Sequence, residues 1–367
     1  MASDSAPSKK SSNNNRLYLS KIQIMNIVQN QLIRWIETHT VSDIVILTDE
    51  NISQLYPDYF NLLKETYNTH TILLPEGEKA KNIDVCRETW GKMLSLSIDR
   101  NALIINWGGG SISDAGGYIA GCYKRGIRYI NIPTTLLAMI DATIGGKTGI
   151  NFAGVKNAVG LIYLPETVLT DASFLNTLPY EELRSGYGEL IKYAMIDDDN
   201  LWEEIKGNTA ISPETIDSCW IQRCSTLKKK ITSQDLYDHD LRRVLNFGHT
   251  VGHAIESYCM TQGMPINHGH AVALGIICES HISWQLHRIS KNQLDEISQY
   301  IKQLYPLPPL PPEANETMIE FCLNDKKNNG KCLNITLLDE PGHATPNYDI
   351  STDEVLASLH HLRTIYH

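Results

Sequence analysis

The first half of the chain alternates short apolar runs with longer segments of helical periodicity. The apolar runs are DIVILT (43–48), HTILLP (70–75), NALIIN (101–106) and IRYINI (127–132). The segments between them, such as residues 79–97, carry apolar positions at helical spacing. This alternation predicts a parallel sheet covered by helices, with functional loops at the carboxyl ends of the strands.

After about residue 170 long helical patterns replace the apolar runs. Helices are predicted over residues 179–196, 214–232, 248–260, 269–287 and 291–304. A strand-like piece at 332–338 and a last helix at 352–365 follow. We therefore expect an α/β plus α fold: a Rossmann-like parallel-sheet domain over residues 16–170, then a mainly helical domain over residues 171–367. The cleft between the two domains is the natural place for a site.

A proline-rich segment, YPLPPLPP (305–312), interrupts the helical half. Proline ends helices, so the segment is expected to turn the chain. The alternative is a motif for a partner that binds the polyproline II conformation.

The composition agrees with a folded two-domain protein. A chain of 367 residues exceeds the size at which one hydrophobic core usually stops growing. The net charge of −10 argues against a nucleic-acid partner, because such proteins usually present basic surfaces. The eight cysteines form no CxxC pair, which favours reduced thiols.

The composition of residues 1–15 does not predict a secretory signal. Residues 1–15 lack the apolar core of a secretory signal, and we expect them to be a disordered tail. No stretch approaches the ~20 apolar residues that span a bilayer. We expect a cytoplasmic protein without a membrane partner.

Glycines follow the third predicted strand, in NWGGGSISDAGG (106–117). Gly108, Gly109 and Gly110 would let phosphate oxygens approach backbone N–H groups at a helix start, which indicates a nucleotide. A tight turn is the alternative, because the run is not the G-x-G-x-x-G fingerprint. Asp49 ends an earlier strand and could either bind ribose hydroxyls or cap a helix.

The segment 132–160 combines small residues with hydrogen-bond donors. Lys147, Lys156 and Asn157 could donate to phosphate oxygens, and the glycines around them let the backbone approach a ligand. Surface exposure is the ordinary alternative for a lysine.

Three candidate metal ligands occupy three separate helical segments. Glu189 lies in GELIKY, His249 in NFGHTVGH and His268 in INHGHAV. Three ligands leave one coordination position open, as a catalytic Zn²⁺ site requires. His253 follows His249 at a spacing of four and could share the ion, whereas Glu189 and Lys192 could instead form an ordinary surface ion pair.

These motifs carry a family resemblance. The runs GGGSISDAGGYIAGCYKRG, IPTTLLAMIDATIGGKTGIN, VKNAVG, SGYGELIKY, LNFGHTVGHAIE, HGHAV and DKKNNGK appear in this order over roughly residues 40–340. In sequence and order they resemble the 3-dehydroquinate synthase family of sugar phosphate cyclases.

The resemblance implies two cofactors. A divalent metal, zinc or alternatively cobalt, would be held by Glu189, His249 and His268, and His253 would lie near the substrate phosphate instead of on the metal. NAD would lie along the first domain, bound by Asp49, Glu78, Lys81, Gly108, Gly109, Gly110, Asp114, Thr134, Thr135, Asp141 and Lys156.

The resemblance also implies a phosphorylated sugar acid as substrate. Phosphate would be held by Lys147, Asn157, His253 and one of Lys326 and Lys327. Lys228 and Arg242 would receive the carboxylate, and Lys156, Asp141, Lys192 and Asn246 would surround the reacting ring. The catalytic set is then Asp141, Lys147, Lys192, Lys228, Arg242, Asn246 and His253. Arg125 would reach the neighbouring subunit's site, which implies a homodimer.

The implied reaction has no net redox change. Transient oxidation of an alcohol by NAD acidifies the adjacent proton, phosphate leaves by β-elimination, and the hydride returns before ring opening and aldol closure. The alternatives are a sister cyclase with another substrate, a glycerol-dehydrogenase-like enzyme, which would lack the GGKTGIN and VKN lysines, and a fold without activity.

Four positions depart from the family pattern. His270 stands where a glutamate is typical, and could add a cation or an extra ligand. Asp238 replaces a glutamate, Asp240 a common glycine, and Gly188 a frequent alanine. These changes put rate and substrate detail in doubt more than reaction class.

Overall fold

The computed structural model describes residues 27–196, 200–324 and 333–367. Its first half contains a five-stranded parallel sheet of β1 (Ile44–Thr48), β2 (Thr69–Leu73), β3 (Leu103–Gly108), β4 (Arg128–Pro133) and β7 (Thr167–Val168). The strand order is β2-β1-β3-β4-β7. The first four lie where the apolar runs predict them, so the predicted parallel sheet is confirmed.

The centre of the sheet is buried on both faces. Ile44 and Ile46 of β1 belong to one apolar core, whereas Val45 and Leu47 belong to a second core. Burial on both faces explains why β1 is continuously apolar instead of alternating. The helices of this half are α1 (Ile27–Glu37), α2 (Glu50–Leu55), α3 (Pro57–Thr66), α4 (Ile83–Ser95) and α5 (Gly110–Cys122).

A β-hairpin that the sequence pattern did not predict precedes β7. Its antiparallel strands are β5 (Lys147–Phe152) and β6 (Val155–Ile162). Gly149 and Gly160 interrupt the apolar alternation by which a strand is recognised. Both are required by the close pairing, because an added Cβ would lie 2.8 Å and 2.3 Å from backbone oxygens of the opposite strand.

The second half is mainly helical, as predicted. Its helices are α6 (Tyr180–Ile196), α7 (Leu201–Ile205), α8 (Ser218–Gln234), α9 (His249–Thr261), α10 (His268–Gln285), α11 (Lys291–Leu304), α12 (Asn315–Leu323) and α13 (Thr352–Tyr366). An antiparallel hairpin joins β8 (Leu333–Glu340) to β9 (His343–Ile350). The predicted last strand corresponds to β8, and β9 was not predicted. The domain limits stay predictions, and residues 1–15 lie outside the described part.

The proline-rich segment packs against the core of its own chain. Tyr305 and Leu310 are buried in the main core, and the carbonyl of Pro306 accepts a hydrogen bond from His270. The segment separates α11, which ends at Leu304, from the 3₁₀ turn Pro312–Ala314, so the prediction that it interrupts the helical run is confirmed. Across the described residues, no helix combines the length and apolarity needed to cross a bilayer.

Helices α6, α9 and α10 approach one another backbone to backbone at glycines. An added Cβ at Gly188 of α6 would lie 2.0 Å from the carbonyl oxygen of Gly269 in α10. A Cβ at Gly275 of α10 would lie 1.9 Å from the carbonyl oxygen of Gly248, the residue that precedes α9. At Gly252 of α9, a Cβ would lie 2.8 Å from the Ala271 oxygen. These contacts leave no room for larger residues.

Gly188→Ala should therefore destabilise this chain even though alanine is frequent at the position in the resembling family. We expect the free energy of unfolding to fall by about 3 kcal/mol, because the obstacle is backbone and cannot rotate away. Gly91→Ala is the matched control: Gly91 lies in α4 with open space around its Cβ position, and alanine there should stabilise by about 0.5–1 kcal/mol. Urea unfolding followed by circular dichroism measures both. Equal stability of Gly188→Ala and the unaltered protein would contradict the close packing.

Candidate active site

Three predicted metal ligands converge from three helices. Glu189 lies in the middle of α6, and His249 and His268 are the first residues of α9 and α10. The Nε2 atom of His268 lies 3.0 Å from Glu189 Oε1, and that of His249 lies 3.3 Å from the same oxygen. Two imidazoles and one carboxylate therefore face a common point with the donor atoms that zinc prefers.

His253 lies one turn further along α9 and joins the same cluster. The ligand atoms of His249, His253 and His268 all lie within 4.8 Å of one another. Of the three, His249 and His268 contact Glu189 Oε1. Two possible ligand sets therefore share His249 and His268: one adds Glu189, as the resemblance implies, and the other adds His253.

Burial and mutual contact set the protonation of this cluster. Burial lowers the pKa of His249 to about 3. Burial would also lower the pKa of His268, but hydrogen bonds to Glu189 and Glu256 outweigh it and raise that pKa to about 9. Burial would raise the pKa of Glu189, yet Lys192 and His249 hold it well below its ordinary value. The Glu189 carboxylate is thus charged, and the His249 imidazole is neutral.

Glu256 is a member of the site that the sequence analysis missed. Its Oε2 lies 3.2 Å from His268 Nδ1, and its Oε1 accepts a hydrogen bond from Lys156 Nζ at 2.9 Å. A carboxylate on the second nitrogen fixes the ring of a metal-binding histidine. The signal was present in GHTVGHAIE, where His249, His253 and Glu256 follow at spacings of four and three and share one helix face.

A buried network of charges extends the cluster. Lys192 Nζ lies 2.6 Å from Glu189 Oε2 and 3.7 Å from Asp141 Oδ1, while Lys228 Nζ lies 2.8 Å from the same Asp141 atom. The Tyr193 hydroxyl also donates to Asp141. Burial would raise the pKa of Asp141, but the ammonium groups of Lys228 and Lys192 hold it well below its ordinary value. Glu189 and Lys192 are almost fully buried, so the alternative of a surface ion pair was wrong.

Arg242 lies against the turn that follows Asp141. It is 3% exposed, and its Nη1 donates to the Leu236 carbonyl at 2.7 Å and the Gly145 carbonyl at 3.4 Å. Gly145 has a φ of 91°, and an added Cβ would meet the Arg242 guanidinium at 2.8 Å. Lys228 donates to the Asp141 carbonyl, so both cations border the segment 141–145.

The hairpin β5–β6 carries cations that reach the helical half. Lys147 forms an ion pair with Asp238 at 2.6 Å, and Lys156 forms the pair with Glu256. Both ammonium groups are about half exposed. Asn157 is exposed with a left-handed φ of 52°. These side chains, predicted to bind phosphate, thus lie at the edge of the site.

The predicted nucleotide-binding residues lie along the carboxyl edge of the sheet. Asp49 follows β1 and accepts from the Ile52 backbone at 2.8 Å, so it is a helix cap in this structure. Gly108 ends β3, Gly109 and Gly110 begin α5, and Thr134 and Thr135 follow β4. The strand order reverses between β1 and β3, where parallel sheets commonly bind ligands.

Lys81 and Asp114 form a buried pair next to these loops. The Lys81 ammonium is 4% exposed and donates to Asp114 Oδ2 at 2.7 Å. Glu78 lies 3.9 Å from Lys81 and accepts from Asn151 of β5. A cavity of about 260 Å³ is lined by residues that include Glu78, Lys81 and Asn151.

The departures from the family pattern each have a local partner. His270 Nε2 bonds the Pro306 carbonyl at 2.7 Å, and burial lowers its pKa, so it is neither an added cation nor an extra ligand. Asp240 accepts from Asn347 of β9 at 2.6 Å. Asp238 pairs with Lys147.

Two predicted residues of the described part are not joined to the network by their side chains. Arg125 is exposed, and neither the Arg125 nor the Asn246 side chain forms a hydrogen bond or ion pair within the described ranges. Asn246 ends the 3₁₀ turn Leu241–Asn246, two residues before Gly248. Lys326 and Lys327 lie outside the described residues.

Comparison with solved structures agrees with the fold. A 2-epi-5-epi-valiolone synthase from Streptomyces hygroscopicus, solved with NAD+ and Zn2+ bound, has a TM-score of 0.79 at 27% identity, over 89% of this chain and 92% of that one. A probable glycerol dehydrogenase from Sinorhizobium meliloti shares the fold more distantly, with a TM-score of 0.60 at 13% identity over 92% of this chain and 94% of that one.

Sequence comparison identifies the family to which the chain belongs within this fold. The family model "3-dehydroquinate synthase N-terminal" matches residues 71–185, and "3-dehydroquinate synthase C-terminal" matches residues 186–328. The 3-dehydroquinate synthase of Parabacteroides distasonis is 34% identical over 343 residues, which is 92% of this chain and 96% of that protein. That of Staphylococcus aureus is 36% identical over 303 residues, 81% of this chain and 83% of that protein. The chain therefore belongs to the 3-dehydroquinate synthase family of sugar phosphate cyclases.

Proposed function

We propose that this enzyme converts 3-deoxy-D-arabino-heptulosonate 7-phosphate into 3-dehydroquinate and phosphate, a step of the shikimate pathway. The observation that carries the proposal is the pair of buried cations, Lys228 and Arg242, connected through Asp141 and Lys192 to the Glu189 cluster. A sugar acid brings a carboxylate that matches two cations. Lys228 already pairs with Asp141, whereas Arg242 donates to the backbone carbonyls of Gly145 and Leu236. A substrate carboxylate would give Arg242 an anionic partner.

The donor set fits a divalent ion held by Glu189, His249 and His268. When bound, the ion would act as a Lewis acid on a substrate alcohol, and NAD would carry the hydride. We place NAD along Asp49, Gly108–Gly110 and Thr134–Thr135. Glu78, Lys81, Asp114, Asp141 and Lys156 complete the proposed cofactor contacts.

The remaining site residues stabilise and move charge. Lys192 holds a proton beside Glu189 and Asp141, where it stabilises negative charge on a substrate oxygen. The phosphate is bound by Lys147, Lys156, Asn157 and His253. To reach the phosphate dianion, Lys147 breaks its ion pair with Asp238, and Lys156 breaks its ion pair with Glu256. Lys326 or Lys327 and Asn246 are further proposed contacts, as the motifs imply. The cations that line the site stabilise the charge on the departing phosphate. One of the phosphate's own oxygens accepts the proton that β-elimination removes.

The enzyme is proposed to act as a homodimer in which Arg125 serves the neighbouring site. Arg125 and its neighbour Lys124 both have left-handed backbone, with φ values of 67° and 49°, which presents an exposed cation on a tight turn. All eight residues of β6 are exposed, and they include Val155, Val159, Leu161 and Ile162. An exposed apolar edge strand favours pairing with a second copy of the chain.

Removal of His249 should abolish tight metal binding. We expect His249→Ala to bind Zn²⁺ more than about 100-fold more weakly, because loss of a direct ligand should exceed the effect of losing an outer partner. His281→Ala is the matched control, since His281 is a buried histidine of α10 in contact with His361 instead of the cluster. Chelator competition followed by metal analysis measures both. An unchanged Zn²⁺ affinity in His249→Ala would reject the proposed ligand set.

Substitution of Arg242 should weaken binding of the carboxylate substrate much more than binding of NAD. With NAD and Zn²⁺, the unaltered enzyme should release phosphate from the heptulosonate phosphate. In Arg242→Met we expect KM for this sugar to rise about 10- to 100-fold, because a charged hydrogen bond to the carboxylate is lost, whereas NAD affinity changes less than about threefold.

Arg243→Met is the control for that substitution, because Arg243 is the adjacent arginine and bonds Asn347 of β9. It should leave both KM and NAD affinity near their original values. Phosphate release by the unaltered enzyme only from a sugar phosphate without a carboxylate would support a sister cyclase. Equal losses for both ligands in Arg242→Met would contradict the carboxylate contact.

Mixed subunits should show whether Arg125 acts across the dimer. Arg125→Ala and Glu189→Gln enzymes are each expected to be inactive. A mixed dimer has one site with both substitutions and one intact site, so random mixing should restore about a quarter of the original rate. Co-expression of two differently tagged chains and a phosphate-release assay provide the measurement. Activity at background in the purified mixed dimer would show that Arg125 does not serve the partner's site.

A further inference from the structure

Glu279 is a buried carboxylate that holds the beginning of helix α9. It lies in α10 and is 0% exposed. Its Oε2 accepts from the backbone N–H of Gly248 at 2.7 Å. Its Oε1 accepts from those of Thr250 at 3.0 Å and Val251 at 3.2 Å. The side chain of one helix thus satisfies three backbone donors at the start of another.

Helix α9 needs this partner because its own sequence provides no cap. The first N–H groups of a helix have no intrahelical acceptor, and they are usually satisfied by a side chain at the capping position. Gly248 occupies that position with a φ of 78° and has no side chain to offer. A larger residue is excluded there, since an added Cβ would lie 2.6 Å from Ile276 and 2.9 Å from the Val272 oxygen. Glu279 therefore supplies from α10 what Gly248 lacks.

The three donors surround the residue that carries the proposed metal ligand. His249 lies between Gly248 and Thr250, so its backbone is fixed on both sides by the Glu279 carboxylate. A buried carboxylate is costly unless it is bonded, and the positive end of the α9 dipole adds to its stabilisation. The orientation of the His249 imidazole toward Glu189 then depends on this anchored first turn.

We propose that Glu279 is a positioning residue of the metal centre: by anchoring the first turn of α9 it aims His249 at the point shared with Glu189 and His268. The inference rests on the proposed metal site. It assigns Glu279 no contact with the ion or the substrate. Its effect is to keep the ligand geometry in place before the ion arrives, and this preorganisation should appear in both affinity and coordination geometry.

Glu279→Gln tests the proposal with Co²⁺ as the probe. The amide keeps the size of the side chain but has only one acceptor oxygen, so at least one of the contacts to Gly248 or to Thr250 and Val251 is lost. We expect Co²⁺ to bind about 10- to 100-fold more weakly, as for other outer partners of metal ligands. The visible absorption of bound Co²⁺ should also change shape. Ser280→Ala is the matched control, because the Ser280 hydroxyl is equally buried in α10 and bonds no described residue.

The possible results separate this inference from the metal proposal itself. Absence of Co²⁺ binding by the unaltered enzyme would overturn the metal site and with it the inference. Tight binding by the unaltered enzyme, together with the same affinity and spectrum in Glu279→Gln, would overturn only the positioning role of Glu279.

A second measurement on the unaltered enzyme keeps the inference testable if Glu279→Gln does not fold. Hydrogen exchange at the amides of Thr250 and Val251 should be slow, although amides of a first helical turn usually exchange quickly. Zn²⁺ should slow these amides more than those of α11, because ion and carboxylate hold the same turn and their coupling is reciprocal. Rapid exchange at both amides, or equal slowing in α11, would overturn the proposal.

Discussion

The candidate metal cluster depends on the close approach of three helices at glycines. Gly188 precedes Glu189, Gly248 precedes His249, and Gly269 follows His268. At each of these glycines an added Cβ would collide with atoms of a neighbouring helix. Side chains adjacent to such contacts start from backbones that nearly touch, so short side chains from α6, α9 and α10 can meet at one point. The glycines therefore bring the three ligands within reach of one another, and Glu279 fixes the direction of one of them.

Charge alternation then orders the polar groups around that point. A continuous series runs from Lys156 through Glu256, His268, Glu189, Lys192 and Asp141 to Lys228. Each charge has an opposite neighbour, which offsets the desolvation cost of burying so many ionisable groups. An arriving dianion can replace a carboxylate as the partner of a lysine, and an arriving cation can replace Lys192 as the partner of Glu189. The series is thus suited to exchange partners without leaving a buried charge uncompensated.

Local sequence signals predicted the parts of this structure that depend on local physics. The strands β1, β3 and β4 were recognisable because they are almost entirely buried and therefore mostly apolar. The ligand helices were recognisable because their motifs are long. The hairpin β5–β6 was not predicted because Gly149 and Gly160 interrupt its apolar alternation. Both glycines are required by the close approach of the opposite strand, and a local sequence pattern does not show which residues lie opposite each other. Glu279 was not predicted for a similar reason, because its partner, the first turn of α9, is at least 28 positions away in the chain. Glu256 shares a helix face with His249 and His253, but its partner His268 lies 12 positions away.

The departures from the family pattern affect the supports of the site more than its ligands. His270 is neutral and holds the Pro306 carbonyl, so the position beside His268 anchors the proline-rich segment instead of adding charge to the cluster. Asp240 ties the loop before Arg242 to Asn347 of β9. Asp238 keeps a carboxylate for Lys147 on a shorter arm. None of the altered positions is a proposed metal ligand, and none is Lys228 or Arg242, the two cations beside Asp141 and Gly145. The altered positions therefore change how the surrounding loops are held, and the residues that determine the reaction class are present.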